Sequence, residues 1–106
     1  MRRAVENVLR NAIRYAPRDT TVEVSLSHGD SAAVVRIRDH GPGVPEDALP
    51  RIFDPFYRVE SDRNRLSGGI GLGLSIARRA VELHKGAIRA ANASPGLQID
   101  LEFPVA

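Results

Sequence analysis

An α+β fold is predicted for this 106-residue chain, a two-layer sandwich whose mostly antiparallel, mixed sheet is covered on one face by helices. Apolar residues recur at helical spacing in two segments and alternate with period two in three shorter ones. The order runs helix, hairpin, turn, loop, helix, hairpin, with no internal repeat or low-complexity stretch.

Val5, Val8, Leu9, Ala12, Ile13 and Ala16 lie on one helical face, and the pattern stops where Ala16 meets Pro17. This first helix begins almost at Met1 without a capping residue, so the fold is expected to lack a preceding strand. Val22, Val24 and Leu26 then alternate with Glu23 and Ser25. His28-Gly29-Asp30-Ser31 supplies a turn, and Ala33, Val35 and Ile37 alternate with Arg36 and Arg38, which predicts an antiparallel hairpin. Asp39 continues the face of Val35 and Ile37, so parity carries its carboxylate toward the core side, where it needs a partner.

A glycine and proline turn occupies 39–45, and a short helical or irregular stretch follows from Glu46 to Phe53 until Pro55 interrupts it. The stretch from Glu60 to Gly69 is polar, aperiodic and glycine-terminated, the signature of a mobile functional loop, and a lid is read over residues 59–70. Leu72, Ile76, Ala77, Ala80, Val81 and Leu83 give a second helix its buried side, with Gly86 as its stop. Two strands, Ala87 to Ala91 and Leu97 to Phe103, close the chain around the turn Asn92-Ala93-Ser94-Pro95-Gly96.

The length fits a single domain over residues 1–106. With 42% apolar and 26% charged residues, the chain has the balance of a folding globular domain. It has no cysteine, which excludes a disulfide framework and cysteine-ligated metal. The fourteen arginines against the single Lys85 suit phosphate recognition, although a G+C-rich genome accounts for most of such a skew. Thirteen acidic residues are interspersed among them, so no single-sign stripe marks a nucleic-acid partner. No apolar run approaches the roughly 20 residues of a membrane span, and Met1-Arg2-Arg3 leads into an amphipathic helix rather than a signal-peptide core.

Several segments have the composition of a site. Asn7, Asn11 and Arg14 project within roughly 60° of one another on the first helix, away from the apolar stripe. Two neutral oxygens beside an arginine fork suit a metal bound to phosphate, but taken alone such a ridge reads first as a solvated face. Asp39 either accepts from a purine amino group or caps an Asx-type turn, and the motif by itself decides neither. Gly68, Gly69, Gly71 and Gly73, with Leu72 among them, lead into the second helix, whose free N–H groups and dipole favour an anion. The run lacks the Gly-Lys-Ser/Thr of a P-loop and the preceding strand of a dinucleotide fold. Phe53, Phe56 and Tyr57 read as local core, whereas Arg58 at the loop's base is placed to swing onto a terminal phosphate. His28, His40 and His84 lack a second ligand at metal spacing and read as structural or incidental.

In order, Glu6-Asn7-Val8-Leu9-Arg10-Asn11-Ala12-Ile13-Arg14-Tyr15, Asp39-His40-Gly41-Pro42-Gly43, Ile52-Phe53-Asp54-Pro55-Phe56-Tyr57-Arg58 and Gly69-Ile70-Gly71-Leu72-Gly73-Leu74-Ser75 resemble the N, G1, F and G2 boxes of sensor histidine kinases, membrane sensors of the CpxA/EnvZ kind. The resemblance spans nearly the whole chain and implies a Bergerat-type ATP pocket. In that pocket Asn11, with help from Asn7, would hold Mg²⁺ against the phosphates, and Arg14 would contact them. Tyr15 would pack near the base or ribose, Asp39 would bind the adenine amino group, and Gly41 and Gly43 would shape the pocket. The backbone around Gly69, Gly71, Leu72 and Gly73 would cradle the phosphates, and Arg58 would approach the γ-phosphate.

The resemblance also implies what is missing. Gyrase-type and mismatch-repair-type ATPases carry a glutamate base four residues before the metal-binding asparagine, and here Asn7 stands there. An amide takes no proton from water, so transfer is expected over hydrolysis. Neither His28, His40 nor His84 is followed by the acidic residue of the family's acceptor motif, so the acceptor histidine is expected on a dimerisation domain of the same parent protein. That parent is expected to be a membrane-anchored homodimer of the bacterial inner membrane, with this domain cytoplasmic and a response regulator downstream. An anti-sigma-factor-type serine kinase and a degenerate, non-nucleotide-binding interaction domain are the alternatives. The sequence around the F and G2 boxes weighs against the first, and intact Asn11, Asp39 and glycines against the second.

Overall fold

The structure is a computed structural model and describes residues 2–55 and 73–105. Helix α1 spans Arg2–Tyr15, strands β1 Glu23–His28 and β2 Ala32–Arg38, a 3₁₀ helix Glu46–Arg51, helix α2 Gly73–Leu83, and strands β3 Ala87–Asn92 and β4 Leu97–Pro104. The sheet order is β1-β2-β4-β3, and all three pairings are antiparallel. The last hairpin therefore inserts β4 between the first hairpin and β3.

Strict alternation in β4 divides the two faces. Leu97, Ile99, Leu101 and Phe103 are buried beneath the helices, while Gln98, Asp100 and Glu102 face outward. Ile37 opposes Ile99 and Val35 opposes Leu101 across β2, and Ala90 and Ile88 complete the same rows on β3. Ala4, Val8 and Ala12 of α1 and Ala77 and Val81 of α2 close the core over this surface. Val8, Ile37, Val81 and Leu101 are its largest fully buried side chains, and burial of each contributes about 1.5–3 kcal/mol.

On the outer face Arg36 donates from Nε to Asp100 Oδ1 at 2.9 Å and from Nη2 to Oδ2 at 3.2 Å. That hydrogen bonding, and then the carboxylate's charge, hold the exposed Arg36 guanidinium above its ordinary pKa. Arg89 reaches diagonally to Glu102 at 2.8 Å.

The helical stripes are narrower than the periodicity predicts. Ile13 is 61% exposed, and on α2 Ile76 and Leu83 are exposed as well. Both helices pack on each other and over β2, β3 and β4, which leaves the inward row of β1 uncovered, with Val24 and Leu26 at 55% and 70% exposure. Period 3.6 identifies which face is apolar; the extent of the opposing surface decides which residues on that face are covered. On α2 the contact line runs through Leu74, Ala77, Ala80 and Val81, and Ile76 and Leu83 fall to either side of it.

Helix α2 ends differently from the expectation that Gly86 stops it. Lys85 takes the left-handed conformation, with φ 64°. The Lys85 N–H donates to Glu82 O at 2.9 Å and the Gly86 N–H to Val81 O at 2.9 Å, a Schellman cap with lysine where glycine is usual. Gly86 is required for another reason, since a β-carbon there would lie 2.1 Å from the Glu102 carbonyl oxygen.

Candidate nucleotide-binding site

Asp39 follows the last residue of β2 and keeps the inward parity of Ile37, leaving it 4% exposed. Its N–H donates to Leu97 O at 3.1 Å, which extends the β2–β4 ladder by one residue. The Leu97 N–H donates to Asp39 Oδ1 at 3.2 Å, and the Gly41 N–H donates to the same oxygen at 2.8 Å. The second contact is an Asx turn, so one oxygen caps the turn. No described residue donates to Oδ2. The turn reading of Asp39 is thus seen directly at Oδ1, and Oδ2 keeps the acceptor capacity that the other reading requires.

Glycines allow the chain to close around this carboxylate. Gly41 is buried and supplies the Asx-turn N–H. Gly43 has φ 74°, and a β-carbon on it would lie 2.6 Å from Asn92 Oδ1. Gly96, with φ 97°, lies directly against the Asp39 backbone. Asn92 holds the turn's exit, accepting from the Val44 N–H at 2.9 Å and donating to Val44 O at 2.6 Å. The His40 ring tethers the turn to the start of β1, with Nδ1 2.9 Å from Thr21 O and Nε2 3.1 Å from Glu23 Oε2. His40 thus has the structural role expected of it.

A second cluster joins the two helices. Asn7 donates from Nδ2 to the Arg3 carbonyl at 2.9 Å, which fixes the amide so that Oδ1 is the outward atom. A β-carbon at Gly73 would lie 3.8 Å from that Oδ1, so the polar ridge of α1 meets the N-terminus of α2. Asn11 is half-buried one turn further along α1, and Arg14 is exposed beyond it. The first N–H groups of α2 and the amide oxygen of Asn7 therefore border a common space suited to an anion and its counter-cation. No group of three histidine, cysteine or acidic side chains able to hold a metal occurs among the described residues. A cation here would be held by phosphate oxygens and neutral amides, which is the donor chemistry Asn7 and Asn11 offer.

The Tyr15 side chain and Phe56, Tyr57, Arg58, Gly69, Gly71 and Leu72 lie outside the described residues, as does the segment read as a lid. Phe53 is buried in the core, as its spacing predicts. Sequence reasoning missed Asn92 and Gly96, which appeared only as generic turn residues. Their partners are 48 and 57 positions away, respectively, at Val44 and Asp39. The one available signal was glycine directly before an alternating strand, a mark of close backbone approach.

Residues 1–106 match the family model described as histidine kinase-, DNA gyrase B- and HSP90-like ATPase. The chain is 47% identical over 103 residues to the sensor protein PfeS of Pseudomonas aeruginosa, covering 97% of this chain and 22% of that protein. The structure superposes on the mycobacterial sensor histidine kinase MprB with a TM-score of 0.86 at 38% identity, covering 96% of this chain and 70% of that one. It also superposes on full-length ShkA in complex with AMPPNP, with a TM-score of 0.82 at 31% identity, over 99% of this chain and 21% of that one. The chain thus spans about a fifth of the length of the curated relative. With an antiparallel sheet under two helices, an aspartate at the end of β2 and an asparagine ridge facing a helix start, the chain belongs to the histidine kinase-, DNA gyrase B- and HSP90-like ATPases, as an ATP-binding catalytic domain of the sensor histidine kinase branch.

Proposed function

We propose that this domain binds ATP with Mg²⁺ and presents the γ-phosphoryl group to a histidine on a separate dimerisation domain of the same parent protein, in two-component signalling. The observation that carries the reading is the buried Asp39 carboxylate, whose Oδ1 is occupied by two backbone donors while Oδ2 is left for an amino group. A carboxylate attracts the exocyclic amine of adenine and repels the carbonyl oxygen of guanine, which selects ATP. Tyr15 packs near the base or ribose, and Gly41 and Gly43 let the turn approach it.

Asn7 and Asn11 supply the oxygens for Mg²⁺, which neutralises phosphate charge when bound. Arg14 and, from the segment after Phe53, Arg58 contact the phosphates. The backbone of Gly69, Gly71, Leu72 and Gly73 at the start of α2 donates to phosphate oxygens. An acceptor histidine nitrogen attacks phosphorus in line as the bond from phosphorus to the β,γ-bridging oxygen breaks, and ADP leaves. The protein's contribution is positioning and charge stabilisation. Asn7 cannot deprotonate water, so the bound nucleotide is preserved for transfer. The parent is a homodimer anchored in the bacterial inner membrane with this domain in the cytoplasm, and its phosphorylated histidine supplies a response regulator.

Calorimetric titration with ATP, with and without Mg²⁺, tests the site on the wild type, Asp39→Ala and Asn11→Ala. Asp39→Ala should weaken ATP in both conditions, and Asn11→Ala should remove most of the gain from Mg²⁺. Equal binding by all three proteins would sink the assignment. Labelled ATP mixed with this domain and the parent's dimerisation domain should yield acid-labile phosphohistidine. ATP binding without any label transfer would refute the kinase role and leave the pocket standing.

A further inference from the structure

We propose that Asn92 is a positioning residue for the adenine-reading carboxylate of Asp39, an inference that rests on the role given to Asp39 above. Asn92 is the last residue of β3 and its register partner is Leu97. Its side-chain amide meets both peptide groups of Val44, accepting from the N–H at 2.9 Å and donating to the carbonyl at 2.6 Å. This exchange of two bonds reproduces a rung of a β-ladder. It couples the exit of the glycine turn to the edge of the sheet.

The same amide governs the spacing of the two donors to Asp39. One donor, the Gly41 N–H, comes from the glycine turn; the other, the Leu97 N–H, comes from β4. Asn92 stands between these arms, since it holds Val44 through its side chain and pairs with Leu97 through its backbone. Gly43 leaves no room for adjustment, because a β-carbon on it would lie 2.6 Å from Asn92 Oδ1 and 3.2 Å from Gly96 O. Arg38 secures the β3–β4 turn from outside, donating from Nη2 to Pro95 O at 3.2 Å and Ala93 O at 3.4 Å. The contacts form a closed circuit through Asp39, Gly41, Val44, Asn92 and Leu97.

Removing the Asn92 amide opens that circuit at its side-chain link across the turn's exit. The arms then separate, Oδ1 loses the simultaneous grip of both donors, and the carboxylate rotates away from the geometry that presents Oδ2 to the base. The first quantity to suffer is discrimination between adenine and guanine, because it depends on where Oδ2 points.

The test compares dissociation constants for Mg²⁺-ATP and Mg²⁺-GTP in the wild type, Asp39→Ala, Asn92→Ala and the double variant, at a temperature where circular dichroism reports each folded. Asn92→Ala should cut the preference for ATP over GTP about tenfold, the worth of one well-made hydrogen bond. The double variant should be no less selective than Asp39→Ala alone, because both changes act on one carboxylate. Loss of folded protein alone weakens both nucleotides by the same factor and leaves the ratio intact. An unchanged ratio in Asn92→Ala beside a reduced one in Asp39→Ala overturns the inference and spares the role of Asp39. An unchanged ratio in Asp39→Ala overturns both. Should Asn92→Ala not fold, Asn92→Asp, which keeps an acceptor for the Val44 N–H and turns an oxygen on the Val44 carbonyl, is read in the same way.

Discussion

Gly96 and Asp39 meet backbone to backbone, so closely that a β-carbon on Gly96 would lie 1.8 Å from the Asp39 carbonyl oxygen and 3.0 Å from its Oδ1. Gly96→Ala also meets an unfavourable φ of 97°, so it should cost about 2–4 kcal/mol in urea unfolding and weaken ATP binding with it. Gly29→Ala is the control. Its β-carbon would sit 3.7 Å from Ala32 O, an ordinary contact, and stability should stay within about 0.5 kcal/mol.

Asp39→Asn separates the two oxygens of the side chain. The Gly41 and Leu97 N–H groups both require an acceptor at Oδ1, so the amide must place its NH₂ where Oδ2 stood. Folding should be retained while a donor confronts the adenine amine, and ATP affinity should fall by roughly 30-fold or more in a calorimetric titration. Strong ATP binding by a folded Asp39→Asn variant would contradict the base-reading role.

At the end of α2, neighbouring positions should respond with opposite signs. Lys85→Gly relieves a left-handed residue at φ 64° and should stabilise the domain by about 0.5–1 kcal/mol. Gly86→Ala drives a β-carbon to 2.1 Å from Glu102 O and should cost about 2–4 kcal/mol. Urea midpoints of the two variants, moving apart from the wild type, check both.

The outer-face pair should add no pH dependence at neutral or moderately alkaline pH. Asp100 raises the Arg36 pKa, so the stabilisation is fully present below arginine's unfolded pKa and is lost only as pH rises through the still higher folded value. The difference in urea midpoint between the wild type and Arg36→Gln should therefore stay constant from neutral pH into the moderately alkaline range.

The inward turn of Asp39 was legible because strand parity is a local rule, and Val35 and Ile37 set it four and two residues earlier. The ridge of Asn7, Asn11 and Arg14 was legible for the same reason, with helical pitch in place of parity. What parity could not supply was the other wall. Asn92 and Gly96 reach Val44 and Asp39 only after β4 has inserted beside β2, and no local pattern records that insertion. The exposure of Ile13, Val24 and Leu26 escaped for a related reason, since periodicity identifies a face but not the edge of its partner. Gly86 was identified as a special residue with the wrong cause attached, because a helix stop and a close approach to a distant carbonyl both select glycine.

The strand order β1-β2-β4-β3 should let the edge strand β1 and the inner strand β4 open on different timescales. Strand β4 is flanked on both sides and carries the fully buried Leu101, so its amide protons should exchange with solvent only when the whole domain unfolds. All six residues of β1 are exposed and, among the described residues, β2 alone pairs with it, so its amides should exchange through fraying of the edge. Asp39 lies between them, receiving one hydrogen bond from β4 and one from the turn that follows β2. A ligand that grips Asp39 therefore ties the fraying part of the molecule to its most persistent strand, and deuterium uptake at Gly41 should slow far more than at Leu101 when ATP is added.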